Sequence, residues 1–168
     1  HALGCLHIMQ KAIQTLKFKA VKISEEETAQ LQENLIISHS VGVGKPIAKE
    51  LSKIMMVCKI HALSKGFSGI SLDVVERLML MLEKDIIPVV PEQGSVGASG
   101  DLAPLSHLVL PLLGLGKVWE GENTVETAQV LEKHQLQPLK LQAKEGLALI
   151  NGTQFILAHA ILGLDKFR

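Results

Sequence analysis

The chain has no tyrosine at all, and aromatic residues make up only 3% of its 168 positions. A surface that stacks single-stranded bases needs more rings than that. Cysteine is also scarce. Cys5 and Cys58 are too few for a disulfide framework, and neither sits in a metal-ligand pair. Both read as small core residues in a reducing compartment, which points to the cytoplasm. Neither charge sign is in excess, because 17 Lys and Arg balance 17 Asp and Glu. That argues against nucleic-acid partners and against attraction to a membrane surface. The start, His1 to Leu6, lacks the charged region and long apolar stretch of a signal peptide. The most apolar run, Phe155 to Leu164, is broken by His159 and is too short to cross a bilayer. The first residue is not Met, which suggests a piece of a longer chain.

What is present is a hydrophobic content of 47% arranged mostly with a helical period. Ser24-Glu25-Glu26-Glu27 has the form of a capping box and opens a helix expected to reach Ser40, with Leu31, Leu35 and Ser38 or His39 on one face. Val41 to Pro46 breaks it, and Pro46 suits the first turn of a second helix carrying Leu51, Ile54, Met55, Cys58 and Ala62, closed by Gly66. Ser71 is placed to cap a third, with Leu72, Val75, Leu78, Met79 and Leu82 as its apolar face. Pro88 and Pro91 make residues 85–91 extended.

Beyond the next loop, Asp101 to Leu113 reads as a short apolar helix and residues 117–122 as a small hairpin. Thr124 suits the cap of a helix reaching His134, residues 136–141 suit a second extended piece, and the remainder from Ala143 suits helix interrupted at Asn151-Gly152. The expectation is a mainly α chain: one helical, partial domain over 1–168, with a glycine-rich loop and one or two short extended or hairpin pieces. Residues 1–21 have weaker amphipathic logic than 22–168.

The loop itself reads Gly94-Ser95-Val96-Gly97-Ala98-Ser99-Gly100-Asp101, followed by Leu102-Ala103-Pro104-Leu105-Ser106-His107. Glycines three apart before a helix can cradle a phosphate on backbone N–H groups. No Gly-Lys-Ser/Thr follows, however, and Gly42 to Pro46 fails the same test because Pro46 stands where the hydroxyl residue belongs. Gly97-Ala98-Ser99-Gly100 is not a nucleophile elbow either, since its second glycine comes one place early. A tight turn feeding a helix is the default for any glycine-rich run taken alone.

Ala98 to His107 as a whole nevertheless resembles the signature of the aromatic amino acid ammonia-lyases. Three further runs resemble the same family in the same order: Leu31 to Ser40 with Gly42 to Pro46, Ser64 to Ile70, and Lys144 to Gln154. The resemblance covers residues 22 to the end. It implies that Ala98-Ser99-Gly100 cyclises to methylidene-imidazolone (MIO), a built-in electrophile requiring no metal. The residue types suit that chemistry. Gly100 leaves its amide nitrogen free to attack the Ala98 carbonyl, Ala98 is small, and Ser99 loses its hydroxyl as water.

By the same resemblance Asp101 assists ring formation while also placing charge at a helix start. Asn151 contacts the amino or carboxylate end of an amino acid substrate, although it also suits a helix break. His39 matches the pocket histidine of members acting on L-histidine, although a lone histidine on a helix face is ordinarily a core residue. Leu147 lines that pocket. Ser38-His39 favours histidine over tyrosine or phenylalanine as substrate. The family further implies a cytoplasmic homotetramer with no nucleic-acid or membrane partner. His107 and His159 read as structural, and Phe67 and Gln154 receive no role.

The match fails in one place. The family carries Asn-Thr-Gly-Phe-Gly, preceded by a catalytic tyrosine, before the helix that contains Leu31. Here Met9 to Lys17 shows none of it. Members of the family are also several times longer. A catalytically incompetent helical fragment is therefore the reading from outside enzymology.

Overall fold

The computed structural model describes residues 24–98 and 100–167. The atypical start, including Cys5 and Met9 to Lys17, lies outside the described residues. Helix α1 spans Glu25–His39, opened by the expected capping box. The Glu27 N–H donates to Ser24 Oγ at 3.1 Å, and the Ser24 N–H donates to Glu27 Oε2 at 2.8 Å. Strand β1 is Val43–Pro46, and helices α2 (Lys49–Leu63) and α3 (Leu72–Glu83) follow. Strands β2 (Ile87–Pro88) and β3 (Pro91–Gln93) precede helix α4 (Leu102–Val109), which runs on into a 3₁₀ turn at Leu110–Leu113. Strands β4 (Lys117–Glu120) and β5 (Asn123–Glu126) form the hairpin, and helices α5 (Thr127–Lys133), α6 (Glu145–Ile150) and α7 (Gln154–Lys166) complete the chain.

This is the mainly α architecture expected, with two small antiparallel sheets. Strand β1 pairs with β3, and β4 lies between β2 and β5. In the β1–β3 ladder, Val43 faces Gln93 and Pro46 faces Pro91, so three steps on one strand answer two on the other. Gly44, at φ +90°, absorbs the extra residue. Pro46 therefore belongs to a strand rather than to the first turn of α2. A two-stranded ribbon has free edges, where a missing N–H costs nothing.

Three other expectations are corrected. Thr124 lies in β5, paired with Trp119, and α5 starts at Thr127. Residues 136–141 form no strand, although Leu141 is buried. The buried faces of two helices also differ in part: Ile36, not Leu31, is the buried residue of α1, and in α3 Val75 and Leu78 are buried as expected, joined by Val74 and Met81, while Leu72 and Met79 are exposed. Both helices are apolar at neighbouring positions, so packing rather than period selects the inward face.

The core joins α2, α3, α4 and the 3₁₀ turn through Met55, Leu78, Met81, Leu105, Leu108 and Leu112, none of which reaches solvent. Each such side chain contributes about 1.5–3 kcal/mol on burial. Helix α6 approaches α1 so closely that a Cβ on Gly146 would lie 3.1 Å from the Gln32 carbonyl oxygen. Together α6 and α7 form a stretch of 22 residues holding an 18-residue window of mean hydropathy 1.6, long and apolar enough by composition to cross a membrane. It is not one continuous helix, because Asn151 to Thr153 interrupt it. Helix α7 packs on α2 and leaves Ile156, Leu157, Ile161 and Leu164 exposed.

Candidate active site

The loop from Gly94 to Gly100 enters α4 through Asp101. Gly97 (φ +66°) and Gly100 (φ +121°) both adopt backbone angles that L side chains rarely adopt, and nothing lies within 4 Å of where their Cβ atoms would be. Ala98 is exposed beside them. Ser99 lies outside the described residues.

Asp101 anchors the loop. It is 1% exposed, and its carboxyl oxygens accept from Ser95 Oγ at 2.7 Å and from the Ile156 N–H at 3.2 Å. Its own N–H donates to the Gly152 carbonyl at 2.7 Å, and its carbonyl accepts from the Leu105 N–H at 2.9 Å. One residue thus closes the loop onto itself through Ser95 and ties it to the break between α6 and α7.

That break presents Asn151. The residue ends α6 in an extended conformation, and its side chain is exposed. Gly152 follows at φ +141°, where a Cβ would run into the Gln154 amide that packs over it. Gln154 is 9% exposed, and its Oε1 has no hydrogen-bond partner among the described residues.

His39 sits in the last turn of α1, half buried. Its Nδ1 lies 2.8 Å from the Leu35 carbonyl oxygen and 3.2 Å from Ser38 Oγ. A carbonyl oxygen can only accept, so Nδ1 carries the hydrogen and, in the neutral ring, Nε2 is the acceptor. The turn after His39 is held against α4: the Gly42 N–H donates to His107 Nε2 at 3.0 Å. Burial holds the His107 pKa below the ordinary histidine value, which keeps that acceptor unprotonated. Gly42 also lies against Gly94, where a Cβ would stand 3.4 Å from the Gly42 Cα.

The structure therefore ties the loop directly to the Asn151-Gly152 break, and joins the end of α1 to the start of the loop through Gly42. Leu147 is exposed on α6, whose first turn meets α1 where the Gly146 N–H donates to Gln32 Oε1 at 3.1 Å. No direct hydrogen bond joins the side chains of His39 and Asn151 among the described residues. A cleft of about 770 Å³ lies elsewhere, between the start of α1 and residues 139–143, and contains none of these groups.

Lys59 escaped the reading of the sequence. It is 1% exposed on α2, and its Nζ donates to the carbonyls of Ala148 at 2.8 Å and Asn151 at 2.7 Å. A lysine among apolar helical positions ordinarily points outward, and the carbonyls it meets lie about ninety residues on, so no local signal marked it.

Comparison with known proteins agrees with this geometry. Residues 17–168 match the family described as aromatic amino acid lyase, five positions earlier than the expected boundary at 22. The chain belongs to that family. A histidine ammonia-lyase of Shouchella clausii (strain KSM-K16) is 53% identical over 146 residues, which are 87% of this chain and 29% of that protein. The crystal structure of histidine ammonia-lyase from Trypanosoma cruzi superposes with a TM-score of 0.75 at 43% identity, covering 81% of this chain and 27% of that one. A tyrosine aminomutase from Streptomyces globisporus gives 0.74 at 42%, covering 79% and 25%. The chain thus spans under a third of the length of the relatives it matches.

Proposed function

We propose that this chain is the loop-bearing part of a histidine ammonia-lyase, a carbon–nitrogen lyase that converts L-histidine to urocanate and ammonia. The observation that carries the reading is buried Asp101, which ties the Ala98-Ser99-Gly100 loop to the chain beside Asn151. The loop residues fit the MIO group: Gly100 at φ +121° has no Cβ to obstruct its nitrogen, and Asp101 and Ser95 hold the flanks. Cyclisation joins the Gly100 nitrogen to the Ala98 carbonyl carbon with loss of one water, and Ser99 loses a second. The group supplies an electrophile that makes the amine of the substrate a better leaving group.

The other residues bind and orient. Asn151 offers its exposed amide to the amino or carboxylate end of the substrate. His39, with Nδ1 committed to Leu35, offers Nε2 to an imidazole N–H, and Leu147 lines the same pocket. The proton on the β-carbon needs a base in place, which no tyrosine of this chain provides. Little or no turnover is therefore expected from the 168 residues alone, and robust turnover by them would overturn that expectation. The parent enzyme is read as a cytoplasmic homotetramer, in which neighbouring chain covers the exposed apolar side of α7.

The aminomutase likeness favours tyrosine as the second substrate reading. Assay of the full-length protein carrying this segment with L-histidine and L-tyrosine decides between them, alongside its intact mass. Ammonia released from histidine, on a protein two waters short, is the expected result. Turnover of tyrosine but not histidine would overturn the role of His39, and an unmodified mass would overturn the cofactor.

A further inference from the structure

Lys59 heads the fully buried side chains, yet it carries an ammonium. Among the described residues no carboxylate pairs with it. A buried cation is costly, and a methionine would fill the same space without that cost. What the ammonium does instead is bind two carbonyls at the end of α6, Ala148 and Asn151, where the final turn of a helix leaves acceptors unpaired and concentrates partial negative charge. Burial pushes its pKa down to about 8, which leaves the ammonium the main form at neutral pH.

The second of those carbonyls belongs to the asparagine assigned to the substrate, and the next carbonyl along, that of Gly152, accepts from the Asp101 N–H. Two consecutive carbonyls at the break are thus fixed, one from α2 and one from the cyclising loop. We propose that Lys59 is a positioning residue for the lyase reaction: from α2 it holds the main chain of Asn151 in register with the Ala98-Ser99-Gly100 loop, so that the Asn151 amide and the electrophile meet the substrate in one geometry. The inference rests on the lyase reading above.

The test is a double-mutant cycle in the full-length enzyme, with Lys59→Met and Asn151→Ala made singly and together and kcat/KM measured on L-histidine. Lys59→Met is expected to keep the mass two waters short and to lower kcat/KM about 10- to 100-fold, the scale of a small misplacement of a binding group. On top of Asn151→Ala the same change is expected to cost under about twofold, because the residue it positions is already gone. Lys59→Gln, which retains an N–H donor, is expected to recover part of the loss.

Full multiplication of the two single effects in an active, dehydrated enzyme would overturn the proposal. Should Lys59→Met fail to fold, the Lys59→Gln cycle decides by the same criterion. Failure of both to fold would make the lysine purely structural and would also overturn it. A parent protein with unmodified mass and no turnover is a distinct result, which removes the lyase reading itself and the proposal with it.

Discussion

Replacing Asp101 with alanine tests the anchor on which the loop depends. The side chain is 1% exposed and accepts two hydrogen bonds, from Ser95 Oγ and from the Ile156 N–H. Bonds to a charged acceptor contribute about 1.5–3 kcal/mol each, and a buried donor left without a partner costs about 1–3 kcal/mol. Ser95 is half buried and recovers part of its loss to water, whereas the Ile156 N–H, in the first turn of α7, loses the carboxylate of a fully buried residue. The expected total is about 3–5 kcal/mol, a large share of the roughly 5–15 kcal/mol that holds an ordinary domain together. For a chain of this size that lowers Tm by about 6–20 °C. Asp101→Asn keeps one acceptor oxygen but turns an N–H toward a donor, so it should lose about half as much.

The assay is thermal unfolding by circular dichroism on the purified chain, with intact mass on the same sample. Both variants should also reduce the fraction two waters short, because the loop is no longer closed from Ser95 to Asp101. An alanine variant that melts within about 2 °C of the parent and is dehydrated to the same extent would refute the anchoring argument.

Three further outcomes follow from contacts around the site. Gly146→Ala would place a methyl 3.1 Å from the Gln32 carbonyl oxygen, so the gain of about 1 kcal/mol in helix propensity is offset by about 1–3 kcal/mol of overpacking, and chemical denaturation should show a loss. Burial holds His107 below its ordinary pKa, so the folded state binds fewer protons than the unfolded one: stability from this group is complete above about pH 6.5 and is lost as pH falls from there through the lower folded-state value. Melting followed from about pH 7.5 to about pH 5 should decline, and His107→Gln, which keeps an acceptor for the Gly42 N–H, should flatten that part of the decline. Asp85→Gly removes ion pairs to Lys49 and Lys53 at 2.5 and 2.7 Å but relieves a backbone at φ +58°, and since the carboxyl is half exposed the net change should stay within about 1 kcal/mol by denaturation.

The parts legible in the sequence were those whose cause is local. The Ser24-Glu27 capping box, the turn signals before Asp101 and the break at Asn151-Gly152 each arise from neighbouring residues and appeared where expected. Features decided by distant chain were not legible. Pro46 lies in a strand because β3 arrives 45 residues after it to pair at Pro91. The inward faces of α1 and α3 were set by what packed on them, with apolar residues available at adjacent positions. The sequence alone gives His107 no partner; its bond from the Gly42 N–H, 65 residues earlier, is set by distant chain. Among candidate site residues, the loop and Asn151 stand in runs of consecutive letters that resemble the family. Lys59 has no such run, and only its acceptors reveal it.

The Asp101 anchor also sets an order of events during synthesis. Its partners at Gly152 and Ile156 are made 51 and 55 residues after it, and the Lys59 acceptors come 89 and 92 residues after that lysine. Contacts of such separation form only after the intervening chain has closed on itself. Under the proposed cyclisation, the loop therefore leaves the ribosome as ordinary peptide, and its Asp101 anchor is complete only when the first turn of α7 has emerged and docked. On the proposed cofactor reading, ring closure would in this sense time folding: a chain cut between residues 101 and 152 carries Ala98-Ser99-Gly100 and the Ser95 contact of Asp101 but lacks the Gly152 and Ile156 partners that anchor the loop.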